Sequence, residues 1–189
     1  MSVVVEHDIH AAVQVREMCL EDLPAVKPLC QALVEHVQSC GQETTFVWNE
    51  KKIARDMFGN PRFLYGFVAV YRGEIVGYTF AALGYEVDQW RREYEVLDLY
   101  IKPDARRLGL GPVLLGQNIS KARELECEQL RALVYKDNEE MLGIFKKTGA
   151  DMQDYHVLCR LPLDEGDTRF EKVARFRQMR VNTELQTAA

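Results

Sequence analysis

Residues 97–112 read Leu-Asp-Leu-Tyr-Ile-Lys-Pro-Asp-Ala-Arg-Arg-Leu-Gly-Leu-Gly-Pro, LDLYIKPDARRLGLGP, and this stretch decides the fold. It begins as a β-rich run, turns on Gly109 and Gly111, and leads straight into apolar residues at helical spacing. A strand that passes through a glycine turn into a helix aims successive backbone N–H groups, and the positive end of the helix dipole, at one point. Such a turn receives a diphosphate. Arg106 and Arg107 add charge suited to phosphate oxygens, and Pro112, near the first helical position, gives up an N–H that has no intrahelical acceptor. A dinucleotide fold would carry a third glycine in GxGxxG, and a P-loop would carry Lys-Ser or Lys-Thr where Pro112-Val113 stands. Both nucleotide readings fall.

Outward from this stretch, strands and helices interleave. Residues 12–19 alternate apolar with polar and predict a strand, and the periodic run from Glu21-Asp22-Leu23-Pro24 to Val37 predicts a helix ended by Cys40-Gly41. Residues 49–58 predict a short helix with Asn49 as N-cap and Gly59-Asn60-Pro61 as its stop. FLYGFVAVYRGEIVGYTFAAL at 63–83 predicts a hairpin turning at Arg72-Gly73, and a polar-aromatic segment, GYEVDQWRREYE, separates it from a strand at 96–101. Downstream come a helix over 111–126 with a buried stripe of Leu115, Ile119, Ala122 and Leu125, and a strand at 130–135. A helix at 139–148 with Gly149 in the left-handed closing position and a strand at 152–161 complete the order. This predicts an α/β fold, a mixed central sheet of about six to seven strands flanked by about four helices. Residues 1–12 read as an N-terminal extension and 13–163 as one domain. In the tail at 164–189, Phe170, Val173, Ala174, Phe176 and Arg177 have the spacing of an amphipathic helix.

Composition narrows the function classes. The 189 residues suit one domain, and no apolar run approaches the roughly 20 residues of a membrane helix. The start, MSVVVEHDIHAAV, lacks the basic region of a secretory signal, so a cytoplasmic protein is expected. Five scattered cysteines (Cys19, Cys30, Cys40, Cys127, Cys159) read as reduced thiols, and the dispersed His7, His10, His36 and His156 suggest no metal site. A net charge of −5 disfavours nucleic acid and favours a cationic partner such as an amine.

Two motifs carry a family resemblance. RRLGLG at 106–111 is similar to the R/Q-x-x-G-x-G/A acetyl-CoA loop of GCN5-related N-acetyltransferases (GNAT), and 97–111 resembles the strand-loop-helix of that family's diamine (spermidine/spermine-like) branch. NEEMLGIFKKTGA at 138–150 is similar to the branch's asparagine, helix and K-x-x-G-A ending. The resemblance covers residues 13–163. It implies acetyl-CoA as co-substrate and transfer of its acetyl group to a primary amine, whether polyamine, amino acid or other small amine, by direct attack in a ternary complex. It also implies a homodimer. Carried over by position, it gives Leu99, Tyr100 and Ile101 main-chain contacts to the pantetheine arm. The diphosphate falls to Arg106 and to the loop of Arg107, Leu108, Gly109, Leu110, Gly111 and Pro112, with Asn138 near the pantetheine or acetyl end.

The chain departs from the branch at its chemistry. Leu97 stands where a glutamate base is usual, and Phe145 where a tyrosine protonates the departing thiol. Neither moves a proton. Asp98 and Tyr100, or a water held by them, become the catalytic candidates, with Tyr155 a further donor. Glu86, Asp88, Glu93 and Glu95, beside Tyr85, Trp90 and Tyr94, either attract a cationic amine or form a solvated face. The alternative that Leu97 and Phe145 leave open is a catalytically weak acyl-CoA sensor or partner-binding module.

Overall fold

Arg72 and Gly73 both take left-handed backbone angles, φ 52° and 83°, and this two-residue turn sets the register Tyr71↔Glu74 between two antiparallel strands. A computed structural model describes residues 13–154 of the chain. The strands are β1 (Val13–Glu17), β2 (Tyr65–Tyr71), β3 (Glu74–Glu86), β4 (Arg91–Ile101) and β5 (Gln129–Ala132). They lie in that order in one sheet, antiparallel from β1 to β4 and parallel between β4 and β5. The helices are α1 (Leu23–Ser39), α2 (Glu50–Phe58), α3 (Leu110–Glu124) and α4 (Glu139–Lys147). Among the described strands, only the β4–β5 connection needs a crossover, and α3 supplies it.

Each face of the sheet has its own core. On one, Leu23, Val26, Leu29 and Cys30 of α1 and Met57 of α2 pack on Val68, Tyr78, Phe80 and Tyr100. On the other, Leu110, Leu114 and Ala122 of α3 cover Phe67, Ala69, Val76, Tyr65, Ala81 and Tyr94. Helix α2 starts as its sequence predicts, with Asn49 Oδ1 accepting from the Lys52 N–H at 3.0 Å. Gly149 closes α4 with φ 77°.

Several expectations shift. The buried stripe of α3 is Leu110, Leu114, Asn118 and Ala122, with Leu115 beside it, while Ile119 is only half-buried. Asn118 hides in the stripe because its amide donates to the Leu114 carbonyl at 2.8 Å and to Thr79 Oγ1 at 3.4 Å, bonds that spacing alone does not reveal. The segment GYEVDQWRREYE is largely strand. β3 runs on to Glu86, β4 begins at Arg91, and Val87 to Trp90 make the turn. Its polar residues sit in strands because partners come from far along the chain: Glu93 is buried against Gln129 Nε2 at 3.0 Å and Arg131 at 3.2 Å. The described residues hold five strands, fewer than the six to seven expected. The expected closing strand at 152–161 has no regular structure at 152–154 and otherwise lies outside the described residues, as do residues 1–12, Tyr155, Cys159 and the tail.

The entry to α1 is pinned electrostatically. Arg16 of β1 grips Asp22 with two hydrogen bonds of 2.6 and 2.8 Å, and the Cys19 N–H adds a third at 2.9 Å. The guanidinium holds the Asp22 carboxyl down to about 2. Because the folded-state value lies below the ordinary one, the stabilisation is present at neutral pH and is lost as pH falls through about 2. Asp22→Asn is expected to lower unfolding free energy by about 1 to 2 kcal/mol at pH 7, discounted for the half-exposed Arg16, with the gap closing in acid. Urea unfolding at pH 7 and pH 2.5 measures it.

Candidate active site

Strand β4 has two partners along its first half and one along its second. β5 pairs with it in parallel only from Glu93↔Gln129 to Val96↔Ala132, whereas β3 stays paired out to Ile101. From Leu97 onward one edge of β4 therefore has no strand beside it among the described residues. The split coincides with a β-bulge: Phe80 pairs with Asp98 and Ala81 with Val96, leaving Leu97 as the extra residue. Leu97 is exposed, as are Leu133 and Tyr135 just past the end of β5, so apolar side chains border the opening.

The direction of the free main-chain groups follows from register. The Lys102 N–H donates to the Val76 carbonyl at 2.8 Å, so residues of the same parity on β4, Tyr100 and Asp98, turn their main-chain groups toward β3. Those of Leu99 and Ile101 face the open edge. Arg106 Nε already donates to the Ile101 carbonyl at 3.1 Å, and its guanidinium lies 6.0 Å from the Tyr100 ring centroid. Arg106 thus closes the end of the strand through Nε while its side chain stays exposed. The Tyr100 ring packs under α1 among core residues, more deeply buried than Asp98 on the same face.

The loop beyond β4 has the shape its glycines suggest. Arg107 and Gly109 take left-handed φ of 65° and 77°, and α3 starts at Leu110, one residue earlier than the sequence predicts. The first intrahelical bond is Val113 N–H to the Gly109 carbonyl at 3.4 Å. Among the described residues, the N–H groups of Arg107, Leu108, Gly109, Leu110 and Gly111 have no acceptor. Pro112 occupies the third helical position and, having no N–H, adds no donor to this cluster. Leu108 and Leu110 turn inward to the α3 core and contribute only main chain.

Gly111 has no reason in the fold to be glycine. A Cβ there would meet only Ile101 Cδ1, at an ordinary 3.7 Å, and its φ is not left-handed. The place a side chain would take, at the residue carrying the last of the five unpaired amides, is open apart from that one contact. These two features, orphan donors at a helix N-terminus and an approach kept clear, fit a diphosphate.

Asp98 is the ionisable group at the bulge. It shares the α1 face with Phe80 and Tyr78, and it has no ion-pair partner among the described residues. Burial pushes its carboxyl up to about 6, while the neighbouring Tyr78 hydroxyl works in the opposite sense. Such a carboxylate is ionised at neutral pH yet holds a proton far better than an ordinary one. Asn138 caps α4, its Oδ1 accepting from the Met141 N–H at 3.1 Å, and Phe145 lies half-buried on that helix. The acidic segment is mostly paired within the chain: Glu86 with Arg91, and Glu93 and Glu95 both with Arg131. Tyr94 is fully buried, leaving Tyr85, Trp90 and Asp88 exposed. Spacing read these acids as a surface array because their cations are supplied by tertiary contact.

The sequence profile of the Acetyltransferase (GNAT) family matches residues 29–150, from the middle of α1 to just past α4. The chain belongs to the GNAT acetyltransferase family. This acetyltransferase is 28% identical over 148 residues to the thialysine N-epsilon-acetyltransferase of Bos taurus, covering 74% of this chain and 85% of the relative. An aminoglycoside acetyltransferase from an uncultured soil metagenomic sample superposes with a TM-score of 0.66 at 19% identity, over 82% of this chain and 99% of that one. A ribosomal-protein-alanine N-acetyltransferase from Brucella melitensis superposes at 0.62 with 19% identity, over 79% and 100%. At such identities the superpositions establish a shared fold, and the family match makes this acetyltransferase an N-acetyltransferase.

Proposed function

We propose that this acetyltransferase moves the acetyl group of acetyl-CoA to the primary amine of a small molecule within a ternary complex. The observation that carries the reading is the run of five unpaired amides from Arg107 to Gly111, continuous with the open edge of β4. The amides suit the diphosphate, with Arg107 exposed beside them; the main-chain groups of Leu99 and the N–H of Ile101, whose carbonyl Arg106 holds, suit the amides of the pantetheine arm, as an added strand would. Asn138 keeps its amide NH2 for the acetyl end. Bound acetyl-CoA supplies an activated thioester.

The chain's task is to orient the amine and take its proton. As the amine nitrogen forms the C–N bond and the C–S bond breaks, Asp98 accepts the proton that the nitrogen sheds. The departing sulfur is protonated by water, because neither Leu97 nor Phe145 carries a proton to give. Pairing of Glu86, Glu93 and Glu95 with arginines leaves little free negative charge for a polycation, which favours an amine of low charge over a polyamine. A cytoplasmic homodimer, implied by the family resemblance, belongs to the same proposal.

Calorimetric titration with acetyl-CoA, followed by a thiol-release assay against thialysine, amino acids, aminoglycosides and polyamines, tests it. Binding with amine-dependent release is the expected result. Binding without release across the panel supports the sensor reading that Leu97 and Phe145 favour, and absence of binding overturns the site.

A further inference from the structure

Tyr78 is fully buried on β3, its ring 5.1 Å from Phe80 and 6.3 Å from Tyr100. Its hydroxyl has no hydrogen-bond partner in the described structure. A buried hydroxyl without a partner costs about 1 to 3 kcal/mol, and phenylalanine, already used next along this face at Phe80, would avoid that cost. The hydroxyl therefore needs an explanation other than packing. Two polar groups approach it: the thiol of Cys30 from α1 and the carboxyl of Asp98 from β4. Tyr100 and Trp48 add a hydroxyl and an indole N–H to the same core, and its other members, including Val26, Leu29 and Met57, are apolar.

The two approaching groups are not equivalent. Burial pushes the Cys30 thiol up to about 11, so it is a neutral, weak acceptor throughout the working pH range. Burial and the nearby Asp98 push the Tyr78 phenol far above its ordinary range, so it is always a donor. Asp98 alone changes charge, and it is the group whose ionised form gains most from a donor in a low-dielectric surrounding. Register puts the two side by side: Tyr78 pairs with Tyr100 and Phe80 with Asp98, so the unpartnered hydroxyl and the carboxyl stand diagonally on the same face of β3 and β4.

We propose that Tyr78 is the positioning residue of Asp98: its buried hydroxyl turns to the carboxylate at the β4 bulge, fixes its orientation and favours its ionised form. The proposal rests on the reading of Asp98 as proton acceptor only for its effect on rate; the hold on the carboxyl itself is independent of that reading. Cys30 is a bystander that fills space.

Carbon-detected NMR titration of the Asp98 carboxyl in the free protein, beside the pH dependence of kcat, tests the proposal. In Tyr78→Phe the carboxyl is expected to titrate about one pH unit higher, and the acid limb of kcat to move with it. In Cys30→Ala both are expected to stay within 0.3 of wild type, roughly the precision of such titrations. A Tyr78→Phe titration that matches wild type overturns the proposal. If Asp98→Asn retains full kcat while Tyr78→Phe shifts the carboxyl, the proton-acceptor reading fails and the positioning contact stands. If Asp98→Asn is inactive and Tyr78→Phe shifts nothing, the contact fails and the acceptor stands. Should Tyr78→Phe not fold, replacing the tyrosines by 3-fluorotyrosine, a stronger donor of similar shape, is expected to lower the Asp98 titration, and no movement overturns the proposal.

Discussion

Gly111→Val is expected to weaken acetyl-CoA binding at least 100-fold, roughly 3 kcal/mol, while the protein stays folded. The two halves of this expectation have separate causes. Gly111 is the second residue of α3, its φ is not left-handed, and an added Cβ meets only the Ile101 side chain at 3.7 Å. Valine also replaces glycine in a helix at a gain of up to about 0.5 kcal/mol, so the melting temperature should hold or rise slightly. The branched side chain, however, stands in the open space before the unpaired amides of residues 107–111, where the diphosphate would approach. Gly109→Val makes the contrast. Its φ of 77° forces a strained backbone costing about 1 to 2 kcal/mol, so there stability falls as well as binding. Calorimetry with thermal unfolding on both variants separates the effects. Unchanged affinity in folded Gly111→Val would remove the loop from the site.

Asp98→Asn is expected to lower kcat about 100-fold, leave acetyl-CoA affinity within a factor of about two, and make the protein more stable above pH 6. The opposed directions follow from one fact. The folded-state carboxyl lies at about 6, above its ordinary value of 3.8, so the folded protein holds this proton more tightly than the unfolded chain. Below the ordinary value both states are protonated and Asp98 costs nothing. As pH rises toward 6 the unfolded chain ionises first, and the folded state loses up to about 3 kcal/mol, nearer 2 after allowing for partial exposure. Asparagine, neutral and of the same shape, escapes that loss. Denaturant unfolding at pH 4 and pH 8 should therefore show little difference in acid and a more stable mutant in base. Parallel stability curves would mean that the carboxyl is not held in the desolvated place described here, and an unchanged kcat would mean that another group takes the proton.

A carboxylate that burial makes a better base than an exposed aspartate, at a cost in stability, fits the proton-acceptor role proposed for Asp98. It also shows why the site was only partly legible. That Leu97 and Phe145 carry no proton is plain from their letters, and elimination then leads to Asp98 and Tyr100 together. The sheet gives them different settings: the bulge at Leu97 leaves Asp98 partly exposed at its margin, while Tyr100 is buried under α1. Tyr78 and Cys30 gave no signal, because each is an ordinary letter in an apolar run until three elements converge. The acidic segment misled for the reverse reason, since Arg131, which neutralises Glu93 and Glu95, lies more than thirty residues downstream.

By itself the sequence determined the element order through β5 and α4, the turn at Arg72-Gly73, the Asn49 cap and the glycine loop. These depend on periodicity and on backbone angles that only particular residues adopt, both local properties of the chain. The tertiary structure decided which edge of β4 stays open, which main-chain groups face it, which acids are already paired and how far burial raises Asp98. Those depend on registry and desolvation, which arise only when segments distant along the chain pack together.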